Sequence, residues 1–276
     1  AIEVGPEWTE IPQNLQIGED IVRNLMYGQH YLKEISGAMN RTVVPVDLTG
    51  WTSQFPQIAK QCGIEWMVWL RMGPEGVGFF RWQGIDGSRL LIRHSEAGSR
   101  TLWQLVDGIR SKSGEHLETF KEVVNKGSYP AVVYWGMDLT VPTENQIEKL
   151  KAWCEDHNFR PAMVTPSRTF YGFDSGDDLP TFEGEVPSAR PFTEAIFPGI
   201  VPLNVPAVHR MAAAEKFTTA AHLLAGHAYP AVQFREFWLK LLEAMDHHYG
   251  ATGGGDTDKR KARTQRCVIW WAEDVI

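Results

Sequence analysis

Apolar residues along the first two thirds of the chain recur with two different spacings. A spacing near 3.6 residues predicts amphipathic helices at 18–36, 53–62, 101–125 and 144–157. Short alternating or continuous apolar runs predict strands at 42–46, 65–72, 79–84, 88–94 and 131–136. A strong hairpin signal, Asp86-Gly87, separates two of these strands. Because helices and strands alternate, we predict an α/β fold with a mostly parallel sheet.

The pattern changes after about Ile200, where strand signals become rare. Two long amphipathic helices are predicted over 206–225 and 232–249, with a break at Gly226 and Pro230 between them. A third helical stretch begins at about residue 257. Three successive helices predict a bundle. We therefore predict an α/β domain over 1–203 and a three-helix bundle over 204–276.

Charge and cysteine usage narrow the classes of partner. The net charge of −7 argues against nucleic acid or an anionic membrane surface as the main partner. No apolar run approaches the ~20 residues of a membrane span.

Cys62, Cys154 and Cys267 are widely spaced and odd in number, which favours reduced thiols in a reducing, cytoplasmic location. The chain starts without Met and without a signal-peptide pattern, so we expect its N-terminus to be incomplete.

Two aspartates directly follow predicted strands. Asp47 comes after the run that ends at Val46 and before a turn at Gly50, and Asp138 comes after the strand at 131–136. The carboxyl ends of parallel strands share one edge of a sheet, where α/β proteins place their active sites. Two carboxylates there can cleave a glycosidic bond, since one attacks the anomeric carbon and the other protonates the leaving oxygen. The alternative is that Asp47 caps a turn and that a chain with 34 acidic residues places some at strand ends by chance.

The segment DLTGWTSQFPQI, which begins at Asp47, resembles the nucleophile segment of glycoside hydrolase family 38, the zinc-dependent α-mannosidases. This chain has Thr49 where the family pattern has Phe. Five other segments resemble the family in the same order: GPEWTEIPQNLQIGED, FFRWQGIDGSRLL, YWGMDLTVPT with Asp138, FPGIVPLNVPAVHR and FWLKLLEAMDHHYG with His247. The resemblance implies an α/β catalytic domain, with a mostly parallel sheet or a distorted β/α barrel, followed by a three-helix bundle.

The resemblance also implies a reaction and its residues. The reaction is retaining hydrolysis of α-mannosidic bonds in a mannose-containing oligosaccharide or glycoside. Asp47 would be the covalent nucleophile and a zinc ligand, and Asp138 the general acid and then base. His247 would be a second zinc ligand, although a histidine in such a helix is more often a surface or core-edge residue. Sugar-binding positions are implied at Trp8, Glu10, Trp51, Trp135 and His248.

The zinc ligands implied by the resemblance are incomplete in this sequence. Family 38 zinc sites also use a His-x-Asp pair on the first strand, and no His-x-Asp occurs here. Asp47 and His247 alone would leave zinc without its usual three or four protein ligands. We expect either a fragment that begins after that strand and is inactive alone, or a non-catalytic carbohydrate-binding relative.

Overall fold

A mixed, mostly parallel sheet forms the centre of the protein, as the sequence predicts. The computed structural model describes residues 3–46, 48, 50–69, 78–94, 144–160, 162–171, 178–187, 201–247, 263 and 266–274. Within them five strands run β1 (Thr42–Val43), β2 (Trp66–Trp69), β3 (Phe79–Gln83), β4 (Arg89–His94) and β5 (Thr181–Glu183). Their order in the sheet is β1-β2-β4-β3-β5. Strand β2 is parallel to β1 and β4, and β5 is parallel to β3, whereas the hairpin β3–β4 is antiparallel.

The described helices are α1 (Gly18–Ser36), α2 (Phe55–Gln61), α3 (Glu144–Asp156), α4 (Val201–Ala225) and α5 (Ala231–Ala244), and residues 266–274 are helical as α6. Helix α1 confirms its prediction. It ends at Ser36 and is followed by Gly37, whose φ of 75° is easily adopted by glycine. Helix α4 begins five residues before its predicted start at Pro206 and contains that proline, which has no N–H to donate to the helix. No helix within the described residues is long and apolar enough to cross a membrane. The helix predicted over 101–125 and the strand predicted over 131–136 lie outside the described residues.

Strand β1 is shorter than the predicted run over 42–46. Its ladder ends at Val43, which pairs with Met67. Pro45 has no N–H to donate to a neighbouring strand, and the N–H of Val46 donates to the Glu10 carboxylate instead. The chain therefore leaves the sheet at the carboxyl end of β1.

Alternate side chains of the strands divide between two cores. Trp69 and Trp82 lie on the face that packs against α1 and α2, where they contact Trp51 and Phe55 in one buried aromatic group. The opposite face carries a smaller cluster: Val68, Phe79, Phe170 and Leu179. Side chains of α4, α5 and α6 join the larger cluster, so the helices after residue 200 share one core with the sheet. The division into two domains at residue 204 stays a prediction.

A half-buried ionic group attaches α1 to the later helices. Arg23 donates from both terminal nitrogens to the Glu215 carboxylate, at 3.1 and 2.6 Å. The indole N–H of Trp238 donates to the same carboxylate at 3.0 Å, and the Arg23 guanidinium lies 4.8 Å from the centre of the Trp238 ring. Such a bidentate pair fixes orientation as well as distance, so α4 and α5 are held in register with α1.

Candidate functional site

The N-terminal segment Trp8–Glu10 crosses the carboxyl end of β1 and meets three elements there. The Asn24 side chain of α1 accepts from the Thr9 N–H at 3.0 Å and donates to the Thr9 carbonyl at 2.8 Å. Glu10 Oε1 accepts from the N–H of Val46 at 2.7 Å. The Glu10 carbonyl accepts from the N–H of His247 at 2.8 Å. This segment therefore connects α1, the chain that leaves β1 and the chain that leaves α5.

The structure brings two of the predicted site residues, Glu10 and His247, into contact. His247 Nδ1 lies 3.6 Å from Glu10 Oε2 and 3.5 Å from Asp246 Oδ1. The Thr9 hydroxyl donates to Asp246 Oδ2 at 2.5 Å. Sequence reasoning missed Thr9 and Asp246, although the position of Asp246 directly before His247 was a usable signal. Nδ1 of the imidazole therefore lies within 4 Å of one oxygen from each of two carboxyl groups.

These residues do not by themselves make a zinc site. Structural and catalytic zinc sites use three or four protein ligands. Within the described part of the chain, no three His, Cys, Asp or Glu side chains are grouped so that they could hold a metal ion. Of the two predicted ligands, His247 is described and Asp47 is not. We therefore assign no chemical step to a metal.

Two residues that precede α1, Glu10 and Asn14, contact the chain on either side of Asp47. Val46 is bonded to Glu10, and Leu48 is buried, with 2% of its surface exposed. Gly50 lies so close to Asn14 that a Cβ at this glycine would stand 2.3 Å from Asn14 Oδ1. Glu10 and Asn14 thus contact the chain one residue before and three residues after Asp47. Asp47 itself lies outside the described residues.

Gly50→Ala should lower the free energy of unfolding by about 1–3 kcal/mol, the usual range for overpacking a filled site. The new methyl group would overlap the amide group of the half-buried Asn14 side chain. Adding Asn14→Ala should restore part of the loss, because neighbouring substitutions are not additive. Urea unfolding of the single and double variants measures this.

Gly5→Ala is the matched control for Gly50→Ala, since a Cβ there meets nothing within 4 Å. It should change the free energy of unfolding by less than about 1 kcal/mol. Equal stability of Gly50→Ala and Gly5→Ala would contradict the close approach of Gly50 to Asn14.

The predicted aromatic positions have different surroundings. Trp8 is half-buried, and its ring meets Tyr31 edge-on with centroids 5.5 Å apart. Trp51 is fully buried, and its backbone pairs with Val186. In this structure Trp51 is a core side chain, whereas the family resemblance implies a sugar-binding position there, and that role stays a prediction. The predicted positions Trp135, Asp138 and His248 lie outside the described residues.

A buried acid, Asp20, lies in the first turn of α1, one helical turn before Asn24. Only 1% of its surface is exposed. Burial raises the pKa of Asp20 to about 7, and it outweighs the amide groups of Ile17 and Ile21, which lower that pKa. In the unfolded chain an aspartate has a pKa near about 3.9. The folded protein therefore holds a proton on Asp20 that the unfolded chain releases above about pH 4.

Stability should fall as pH rises from about 4 to about 7, since the folded state binds more protons than the unfolded state over this range. One pKa unit corresponds to about 1.4 kcal/mol, so the effect of Asp20 is at most about 4 kcal/mol. Asp20→Asn, which has the shape of the neutral acid, should remove it. The free energy of unfolding of Asp20→Asn should exceed that of the native chain at pH 8 but not at pH 4.5. An equal difference at both pH values would show that Asp20 does not titrate in this way.

The comparison with family models identifies one family. The family model described as the glycosyl hydrolases family 38 N-terminal domain matches residues 2–185. Human alpha-mannosidase 2C1 is 27% identical over 195 residues, which are 67% of this chain and 18% of that protein. The chain therefore spans about a fifth of the length of this curated relative.

Solved structures show the same fold. The crystal structure of an alpha-mannosidase from Enterococcus faecalis V583 superimposes with a TM-score of 0.66 and 16% identity, over 99% of this chain and 34% of that one. A 4-alpha-glucanotransferase from Thermococcus litoralis superimposes with a TM-score of 0.60 and 11% identity, over 96% of this chain and 47% of that one.

Proposed function

The chain belongs to glycoside hydrolase family 38, and from this membership we propose that it is part of a retaining enzyme that cleaves α-mannosidic bonds. The observation that carries the proposal is the family match over residues 2–185, a range that contains both predicted catalytic carboxylates. The proposed substrate is a mannose-containing oligosaccharide or glycoside. The name of the human relative, alpha-mannosidase 2C1, supports this class of substrate.

In the proposed mechanism one carboxyl group is the nucleophile and the other is the general acid and then the general base. The Asp47 carboxylate attacks the anomeric carbon as the bond to the leaving oxygen breaks, and the Asp138 carboxyl group gives its proton to that oxygen. Asp138, now ionised, then takes a proton from water, and the water oxygen displaces Asp47 from the anomeric carbon. Two displacements return the original anomeric configuration. Trp8 and His248 are the proposed contacts to the sugar, together with Trp135.

The stereochemistry of the first product tests this mechanism. The full-length protein is incubated with an aryl α-mannoside, and the anomers of released mannose are followed by proton NMR before they equilibrate. A retaining enzyme releases α-mannose first. Release of β-mannose first would contradict a covalent intermediate on Asp47, and no hydrolysis of any α-mannoside would contradict the enzyme assignment.

Zinc dependence is a separate part of the proposal and is supported by the family resemblance alone. Asp47 and His247 are the two proposed ligands in this chain. The metal content of the purified full-length protein tests it without reference to activity. We expect about one zinc ion per polypeptide. A chelator should remove this zinc and lower the melting temperature of the protein. A protein that contains no zinc and whose melting temperature a chelator leaves unchanged would contradict it.

A non-catalytic carbohydrate-binding protein is the second candidate. It is favoured by the missing His-x-Asp pair and by the lack of a three-ligand group within the described residues. Binding of mannosides without hydrolysis would identify it. For either function we propose a cytoplasmic location, which is supported by the three free cysteines of the structure and which cell fractionation tests.

A further inference from the structure

We propose that Glu10 is a positioning residue, which fixes the Val46 peptide at the end of β1 and the chain at His247 relative to each other. The family resemblance instead implies that Glu10 contacts the sugar. The structure shows its carboxylate and its carbonyl group bonded within the protein. The consequence for catalysis rests on the proposed function, whereas the consequence for local structure does not.

The carboxylate of Glu10 supplies the bond that the sheet does not supply to Val46. Strand β1 ends at Val43, and half of the surface of Val46 is exposed, at 51%. Glu10 Oε1 accepts from the Val46 N–H at 2.7 Å, within the usual range for an N–H···O hydrogen bond. Because Val46 directly precedes Asp47, this bond fixes the position of the residue before the proposed nucleophile.

The second contact of Glu10 is with the chain that follows α5. The N–H of His247 donates to the Glu10 carbonyl at 2.8 Å. Glu10 Oε2, the oxygen that does not bond Val46, lies 3.6 Å from His247 Nδ1. One residue therefore contacts two positions that are 201 apart in the sequence, and both are next to or part of the predicted site.

Glu10 can hold its neighbours in place because its own backbone is held. The preceding residue, Thr9, is bonded through its N–H and carbonyl to Asn24 of α1 and through its hydroxyl to Asp246. The N–H of Trp8 also donates to the Asn24 carbonyl at 3.0 Å. A short segment with this many long-range bonds is a rigid support for the side chain of Glu10.

Two conservative variants distinguish the effect of the length of the Glu10 side chain from the effect of its charge. Glu10→Gln keeps the length of the side chain and an oxygen that can accept from Val46, but it removes the negative charge. Glu10→Asp keeps the charge but is one methylene shorter, so it cannot span the same distance without a backbone shift. Glu236→Asp is the matched control, because Glu236 is exposed and pairs only with Lys240 among the contacts of the described residues.

Hydrogen–deuterium exchange and kinetics of the full-length protein give independent readouts. Glu10→Asp should speed exchange of the Val46 amide about 10-fold, a loss of about 1.4 kcal/mol. It should also lower kcat for an aryl α-mannoside about 10²-fold, the scale of a 1 Å misplacement, with a small change in KM. Glu10→Gln should change both readouts less than Glu10→Asp does, and the Glu236→Asp control should stay close to the native protein in both.

The opposite pattern would overturn the proposal. If Glu10→Gln loses activity while Glu10→Asp retains it, then the charge of Glu10 acts on substrate or metal and the length of its side chain is unimportant. If neither variant changes exchange at Val46, the bond does not hold that peptide. A native protein that does not hydrolyse α-mannosides would defeat the proposed function, and the exchange experiment would still decide the role of Glu10.

Discussion

Replacing Asp47 with asparagine should lower kcat for an aryl α-mannoside by about 10³-fold or more, because loss of a covalent nucleophile has effects of at least this size in enzymes. Asparagine has nearly the same shape, so the variant should fold and bind substrate. The decrease should be found for leaving groups of low and high pKa alike, since an attack on the anomeric carbon is needed for both. Initial rates over a series of aryl α-mannosides, with the melting temperature of each protein, measure this.

Asp86→Asn is a suitable control for the Asp47 variant. Asp86 lies in the β3–β4 turn, where it accepts from the N–H and hydroxyl of Ser88. Strand β4 runs parallel to β2 and begins after this turn, so the turn is at the amino edge of the sheet, away from Val46. Asp86→Asn should leave kcat unchanged within about twofold. Undiminished activity of Asp47→Asn, beside an unaffected control, would show that the nucleophile is another residue.

Elements whose signals are local could be predicted from the sequence. The spacing of six apolar residues predicts helix α1: Ile21, Val22, Leu25, Met26, Leu32 and Ile35. Ile21, Leu25 and Leu32 are buried in the structure, whereas Met26 and Ile35 are exposed. The β3–β4 hairpin was predicted from Asp86-Gly87, and Gly87 has a φ of +84° in the turn. In each case the deciding interactions lie within a few residues of the signal.

Features that depend on distant residues could not be predicted from local patterns. The early end of β1 follows from Pro45 and from the bond between Val46 and Glu10, whose positions are 36 apart. Strand β5 has three residues and forms only where it can pair with β3. The burial of Trp51 depends on Trp69 and Trp82, which come from two other strands.

The candidate site shows the same division between local and distant signals. Asp47 and Asp138 were indicated by their positions after predicted strands, and His247 by the family resemblance. The bond from Thr9 to Asp246 joins residues 237 apart, and no spacing in the sequence indicates it. A contact of this kind becomes visible only when the segments before β1 and after α5 are placed beside one another.

Gly28→Ala should lower the free energy of unfolding by about 3 kcal/mol or more, the upper part of the range for overpacking. In an exposed helix the same change stabilises by about 1 kcal/mol. Here a Cβ on α1 would stand 2.2 Å from the carbonyl oxygen of Pro6 and 2.7 Å from the nitrogen of Trp8. Both are backbone atoms, so the segment that leads to Glu10 must move away from the helix. Urea unfolding measures the loss, and exchange at Val46 should rise because Glu10 is displaced.

Gly18→Ala is the matched control for this last variant, since it introduces the same methyl group in the same helix. A Cβ at Gly18 would have its nearest neighbour, Gln54 Oε1, at 3.6 Å, an ordinary contact distance. Its stability should therefore stay within about 1 kcal/mol of the native chain or rise slightly. If Gly28→Ala is as stable as Gly18→Ala, the N-terminal segment does not pack directly on α1. In that case the bonds of Thr9 to Asn24 could not make Glu10 a rigid support. A large loss confined to Gly28→Ala, with faster exchange at Val46, would link the packing of one glycine to the placement of the proposed nucleophile segment.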